Sequence, residues 1–273
     1  MASTLHLVDV NIENNIAIVQ INNPPLNVLG KKVVQDLLKV FQEIEKNHNV
    51  RVVILTSAGQ KAFMAGADIK EFPMWLGDKD MKRHVTANHE LYQYIDGFSK
   101  PTIAVLNGLT LGGGCELALC CDFRIAEQHA KIGLPEINLG IFPGGGGTQR
   151  LPRLIGMSKT KELIFFGDNV SAQAAFTIGL VNKVTPSGEG LECALEWANQ
   201  LVTKSMYSLS KVKEALMYGA DHTLEEGIQR ETELFYDVFQ HPDAFEGIEA
   251  FIEKREPIFN KKQEIPRIEQ KNK

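Results

Sequence analysis

The chain has 273 residues, of which 44% are apolar and 23% charged, the balance of a globular protein able to bury a sizeable core. Its length suits one large domain or a main domain with a small appendage. The formal net charge of −5 argues against a general nucleic-acid or anionic-membrane surface but leaves room for a local basic pocket.

No apolar run approaches the ~18 residues that a membrane-spanning helix needs. The opening "MASTLHLVDV" has neither the apolar core of a signal peptide nor the arginines of a transit peptide, so a cytoplasmic location is expected. In chain order, "IAIVQIN", "RVVILTS" and "PTIAVLNG" are β-branched runs bounded by turn residues and are expected as buried strands. Between the first two, Val33, Leu37, Val40, Phe41 and Ile44 recur at helical spacing, and a second helix is expected from about Met81 to Ile95. "DFRIA" is expected as a short strand before Gly133. Such alternation predicts an α/β fold with a parallel or mixed sheet and crossover connections.

Beyond Gly156 the pattern becomes helical, with "LVNKV" as the one convincing strand and long helical stretches from Ser205 to Arg255. The expected division is a core over residues 1–190 and a helical region over 191–273, with a polar tail, "NKKQEIPRIEQKNK", that frays. The four cysteines, Cys115, Cys120, Cys121 and Cys193, lack the spacing of a zinc site and are expected as buried, reduced thiols. Cys115 stands close to a helix start, which keeps a nucleophilic role open, although no histidine near it in sequence offers a base.

Three stretches carry the residue types of chemistry. In "NGLTLGGGCELALCCD", a strand runs into Asn107 and Gly108, and Gly112 to Gly114 precede a helix expected to begin near Cys115. Free N–H groups at a helix start favour negative charge, and glycine lets a substrate oxygen approach. The alternative is a tight turn before a core helix, with Glu116 as a first-turn acid. In "AFMAGADIKEF", small residues around Gly66 offer a second N–H donor, flanked by Lys61 and Lys70. The alternative there is a strand-to-helix loop with Asp68 as N-cap.

In "GLPEINLGIFPGGGGTQRLPRLIG", Glu136 lies among Ile132, Leu134, Ile137 and Leu139. A carboxyl in such company has a raised pKa, as a proton donor requires, while the alternative is a solvent-facing turn glutamate. The run Gly144 to Gly147 lacks the Lys-Ser/Thr pair of a Walker loop and fits the GxGxxG dinucleotide fingerprint poorly, so nucleotide binding of either type is not expected. The seven histidines form no HxxxH or HxH pair, and no metal site is expected. Two N–H-bearing turns, two carboxyls and some lysines together suit chemistry in which a thioester or carbonyl becomes an enolate.

These three stretches, in this order and at these intervals, resemble the enoyl-CoA hydratase/isomerase (crotonase) superfamily from "NNPPLNVL" to "EGIEAFIEKREPIF". The resemblance implies a spiral of repeated ββα units with a C-terminal helical region that covers the active site and forms trimers, which often pair into hexamers. It implies an acyl-CoA thioester substrate, with CoA as part of the substrate and no separate cofactor. The N–H groups of Ala67 and Gly113 would hold the thioester oxygen. Glu116 would position and deprotonate the water, and Glu136 would protonate Cα in a syn addition. Lys61, Ala65, Asp68, Ile69 and Lys70 match CoA-contacting positions, and Phe235 and Lys254 match positions reaching across from a neighbouring subunit.

With both glutamates present, hydration of a 2-enoyl-CoA is the expected activity. A Δ3,Δ2-isomerase, indifferent to loss of Glu116, is the enzymatic alternative. The acyl group stays open between short fatty acyl chains and the methylglutaconyl group of leucine breakdown. The stretch "FPMWLGDKDMKR" bears on that choice, because Lys79, Lys82 and Arg83 are either a carboxylate pocket or a solvated loop. A non-enzymatic RNA-binding role is disfavoured by the acidic charge and by the lack of an aromatic–basic stripe.

Overall fold

The computed structural model describes residues 7–79 and 81–260. The first six residues and the tail beyond Asn260, where fraying is expected, lie outside the described residues. The chain divides into two compact units, Met1–Asn199 and Gln200–Lys273.

The first unit winds between two sheets. In the larger sheet, β1 (Val8–Glu13) pairs antiparallel with β2 (Ile16–Ile21), and the sheet continues in parallel through β3 (Val52–Ser57), β5 (Thr102–Leu106), β7 (Phe123–Glu127) and β10 (Lys183–Thr185). The smaller sheet takes the short strand that follows each of three of these. It is ordered β4 (Ala62–Met64), β6 (Leu109–Leu111), β8 (Lys131–Gly133) and β9 (Val170–Ser171). The chain thus alternates strand in one sheet, strand in the other, then helix, which is the expected ββα spiral.

The helices of this unit are α1 (Lys31–Lys46), α2 (Phe72–Trp75), α3 (Met81–Asp96), α4 (Gly113–Leu119), α5 (Gly147–Phe166), α6 (Ala172–Thr177) and α7 (Gly190–Leu201). A 3-10 helix spans Pro135–Leu139. On α1 the apolar spacing turns Val33, Val34, Leu37, Phe41 and Ile44 into the core. Each such burial is worth about 1.5–3 kcal/mol. There Phe41 meets Phe98 edge-on, with ring centroids 5.2 Å apart. Strands β3 and β5 are buried at every position, as expected for strands covered on both faces.

The packing of α4 against β4 depends on Gly114. A Cβ there would lie 2.1 Å from the Met64 carbonyl oxygen, so only glycine brings the helix start so near the strand. At its other end, the buried Arg124 donates to the carbonyls of Ala118, Cys121 and Leu180.

The second unit holds α8 (Met206–Asp221), α9 (Leu224–Phe239) and α10 (Pro242–Glu253). Thr223 and Glu226 close a capping box at the start of α9. Helix α7, placed by sequence in the 191–273 region, falls almost wholly in the first unit. Strand β1 and the whole smaller sheet were not foreseen. The strands β4, β6 and β8 have three residues each, too few to display a period. "VDVNIE" does alternate, but Val10 and Ile12 are exposed on an edge strand.

Candidate active site

The first unit brings together the turn before α4, the turn after β4, the 3-10 helix and the glycine run before α5. At the first, Gly112 takes φ +51°, a region that L side chains rarely adopt, and its N–H donates to the Gly133 carbonyl at 2.9 Å. Helix α4 therefore starts at Gly113, two residues before the expected Cys115. At the second turn, Leu29 clasps the backbone on either side of Ala67. Its N–H donates to the Gly66 carbonyl at 2.8 Å, and its carbonyl accepts from Asp68 at 3.3 Å.

Neither the Ala67 nor the Gly113 N–H meets an acceptor among the described residues. The two turns touch: a Cβ built on Gly113 would lie 3.8 Å from the Ala67 nitrogen, and one built on Gly112 would lie 3.7 Å from the Gly66 Cα. Tyr92 fixes this corner from α3, its buried hydroxyl donating to the Gly113 carbonyl at 2.8 Å. Burial first, and the Glu116 charge second, push its pKa well above the usual phenol value, so it stays a donor.

Glu116 lies one turn into α4 and is 3% exposed. Its Oε1 accepts the N–H of Gly145 at 2.7 Å and of Gly147 at 2.8 Å. Burial pushes its carboxyl above the ordinary range, while these two N–H groups and the Arg150 guanidinium oppose the shift. Oε2 takes no hydrogen bond from any described residue.

Glu136 occupies the 3-10 helix that Pro135 opens. A Cβ on Gly112 would meet its Oε1 at 3.0 Å. Oε2 is buried without a hydrogen-bond partner among the described residues. Burial, reinforced by the nearby Glu116 charge, raises its pKa to about 7. The apolar setting read from sequence is only partly the cause. Ile132 and Leu134 are buried, but Ile137 and Leu139 point out, beside exposed Ile141 and Phe142.

The site thus pairs a carboxyl locked by two N–H groups with one whose pKa is raised to about 7, beside two N–H donors that no described residue claims. That set can stabilise an oxyanion while one group takes a proton and the other delivers one.

Of the remaining expected residues, Lys61, Ile69 and Lys70 are exposed around the β4 turn. The Ala65 N–H is taken by the Leu26 carbonyl at 3.1 Å. Asp68 is not a helix N-cap: Glu71 holds that position for α2, and the Asp68 carboxylate instead accepts the Lys70 N–H at 3.1 Å. Phe235 is an exposed side chain of α9, and Lys254, at the end of α10, adopts φ +56°; both belong to the second unit. Lys79, Lys82 and Arg83 are exposed. Cys115 is buried, and burial pushes its thiol far above the range in which a thiolate forms, which removes it as a nucleophile.

The Gly144–Gly147 run, which lacks the pattern of a nucleotide loop, presents the Gly145 and Gly147 N–H groups to Glu116. The roles of Tyr92, Asp96 and Arg150 carry no local signal, because Tyr92 meets Gly113 across 21 residues and Arg150 meets Asp96 across 54. Among the described residues, no three His, Cys, Asp or Glu side chains gather as a metal would require, and no helix is long and apolar enough to cross a membrane.

The family model of enoyl-CoA hydratase/isomerase matches residues 11–262. The short-chain-enoyl-CoA hydratase of Clostridium acetobutylicum is 41% identical over 244 residues, covering 89% of this chain and 93% of that protein. The crotonyl-CoA hydratase of Syntrophomonas wolfei is 38% identical over 248 residues, with coverage of 90% and 95%. The crystal structure of an enoyl-CoA hydratase from Bacillus anthracis superposes with a TM-score of 0.88 at 39% identity, over 93% of this chain and 98% of that one. Sequence, fold and site geometry therefore converge: this chain belongs to the enoyl-CoA hydratase/isomerase family.

Proposed function

We propose that this protein is an enoyl-CoA hydratase, a hydro-lyase that adds water syn across the 2,3 double bond of a 2-enoyl-CoA thioester to give a 3-hydroxyacyl-CoA. The observation that carries this reading is the unequal pair of carboxyls: Glu116 locked by the Gly145 and Gly147 N–H groups, and Glu136 with a pKa of about 7. The N–H groups of Ala67 and Gly113 receive the thioester oxygen and stabilise the enolate as it forms. One such donor is typically worth ~3 kcal/mol in the transition state. Glu116 takes a proton from the water that attacks the β-carbon, and Glu136 gives its proton to the α-carbon. The product keeps all the atoms of water, so the step involves no net oxidation or reduction.

Lys61, Ala65, Asp68, Ile69 and Lys70 hold the CoA moiety, with Phe235 and Lys254 supplied by a neighbouring copy. The helical region forms the subunit contacts of a trimer or a dimer of trimers. Exposed Phe235, Tyr236, Phe251 and Ile252 give it apolar surface to cover. The relatives' names and the exposed apolar side chains after Glu136 favour a short unbranched acyl group of fatty-acid breakdown over a carboxylated one. Four buried free thiols support a reducing, cytoplasmic setting.

The test follows loss of conjugated thioester absorbance with crotonyl-CoA and 3-methylglutaconyl-CoA, for wild type, Glu116→Gln and Glu136→Gln. Hydration by the wild type that either substitution abolishes supports the reading. Conversion of 3-enoyl to 2-enoyl thioesters without hydration would replace it with the isomerase.

A further inference from the structure

We propose that Arg150 is a positioning residue for Glu116: anchored by Asp96, it holds the glycine turn whose N–H groups aim the carboxylate, and it is the positive charge facing that carboxylate. This rests on the proposed role of Glu116 as the base toward water.

Arg150 lies in the first turn of α5, and its side chain folds back over the turn it has just left. Its Nη1 donates to the Gly145 carbonyl at 3.3 Å, and its Nε donates to Asp96 Oδ2 at 3.0 Å. A Cβ on Gly146 would stand 2.2 Å from Nη1, so the guanidinium lies directly on the turn. Gly145 is therefore held at both ends, by Glu116 at its N–H and by Arg150 at its carbonyl. Asp96 stands one helical turn beyond Tyr92 on α3, so a single face of that helix steadies both halves of the site. Tyr92 secures Gly113, and Asp96 secures the arginine behind Glu116.

Among the described residues, the titratable groups facing Glu116 are Tyr92 from α3, Arg150 from α5, Glu136 from the 3-10 helix, Cys115 on its own helix and Cys120 at that helix's C-cap. Tyrosine and thiols stay protonated there, and Glu136 is acidic, so among the described residues Arg150 is the cation that joins the Gly145 and Gly147 N–H groups in offsetting the Glu116 charge. The pair with Asp96 is also half-buried, with side chains 19% and 37% exposed, unlike a solvated surface bridge. A clip that merely joined α3 to α5 would affect stability and leave the titration of Glu116 in place.

The experiment measures kcat, KM and the pH dependence of crotonyl-CoA hydration for wild type, Arg150→Met, Arg150→Lys, Asp96→Asn and Glu116→Gln, each checked for folding by circular dichroism and Tm. Loss of the positive charge should move the acid limb of kcat/KM to higher pH. Arg150→Met is expected to lose about a hundredfold in kcat, the scale of a small misplacement, with KM changed far less. Arg150→Lys should restore the acid limb and part of kcat. Asp96→Asn, which keeps the arginine charge, should lower kcat without moving the acid limb upward. A folded Arg150→Met with wild-type kcat and an unmoved acid limb overturns the proposal. If that variant does not fold, wild-type kcat in Asp96→Asn overturns it equally. Retained hydration by Glu116→Gln would sink the underlying role of Glu116 instead, and the proposal with it.

Discussion

Gly145 donates its N–H to Oε1 of Glu116 at 2.7 Å from 29 residues further along the chain. This bond makes the glycine run before α5 part of the carboxylate's seat. A side chain at that position would also collide with it, because a Cβ on Gly145 would lie 2.5 Å from Glu116 Oε2 and 2.4 Å from Tyr92 Cε2.

Gly145→Ala should therefore displace the carboxylate or the turn. The expected result is a loss of kcat of about a hundredfold, the scale on which small misplacements act. It should come with overpacking that costs about 1–3 kcal/mol. Steady-state hydration assays and urea unfolding check the two effects separately, and wild-type kcat would refute the seat.

The Glu136 pKa of about 7 sets a pH dependence. Hydration needs its proton, so kcat/KM should decline as pH rises through about 7. The sign for stability is the same. The folded-state pKa lies above the unfolded value, so the stabilising contribution is complete below about 4.5 and is lost as pH rises through about 7. Glu136→Gln, which cannot ionise, should raise Tm relative to wild type in mildly alkaline buffer and give no gain in acid. An equal difference at both pH values would contradict the assignment.

Gly112→Ala places a Cβ 3.0 Å from Glu136 Oε1 in backbone held at φ +51°. Such strain costs on the order of 1–3 kcal/mol. We expect a lower melting temperature and a weakened proton donor. The loss of kcat should exceed any rise in KM, and a change confined to KM would argue against contact with the reacting groups.

Arg124 binds the carbonyls of Ala118, Cys121 and Leu180 from a position 5% exposed. Arg124→Leu strands those acceptors and should cost on the order of 3 kcal/mol in urea unfolding. Loss below about 0.5 kcal/mol would mean that water replaces the guanidinium at little cost.

The buried strands Val52–Ser57 and Thr102–Leu106 and the amphipathic helix Lys31–Lys46 are readable because their apolar residues recur with a period of their own. The two glutamates are readable as candidates as well, since each stands within three residues of a glycine in an ordered motif. The smaller sheet is not, because strands of two or three residues exist only where the larger sheet's turns bring them side by side. Nor is the alignment of Ala67 with Gly113, which rests on Leu29 clasping one turn while Tyr92 holds the other.

The local periodicities showed an α/β chain, and the order of the motifs carried the family resemblance, which implied the ββα winding and which carboxyls to suspect. Those features are short-range, and burial of one face imposes them along the chain. The unequal character of the two carboxyls required the folded chain. Desolvation, the N–H groups that lock Glu116 and the Arg150–Asp96 pair behind them all depend on distances between segments. Hydrogen bonds form only at about 3 Å and Coulomb energy weakens with separation, so such groups act fully only after tertiary packing has brought them together.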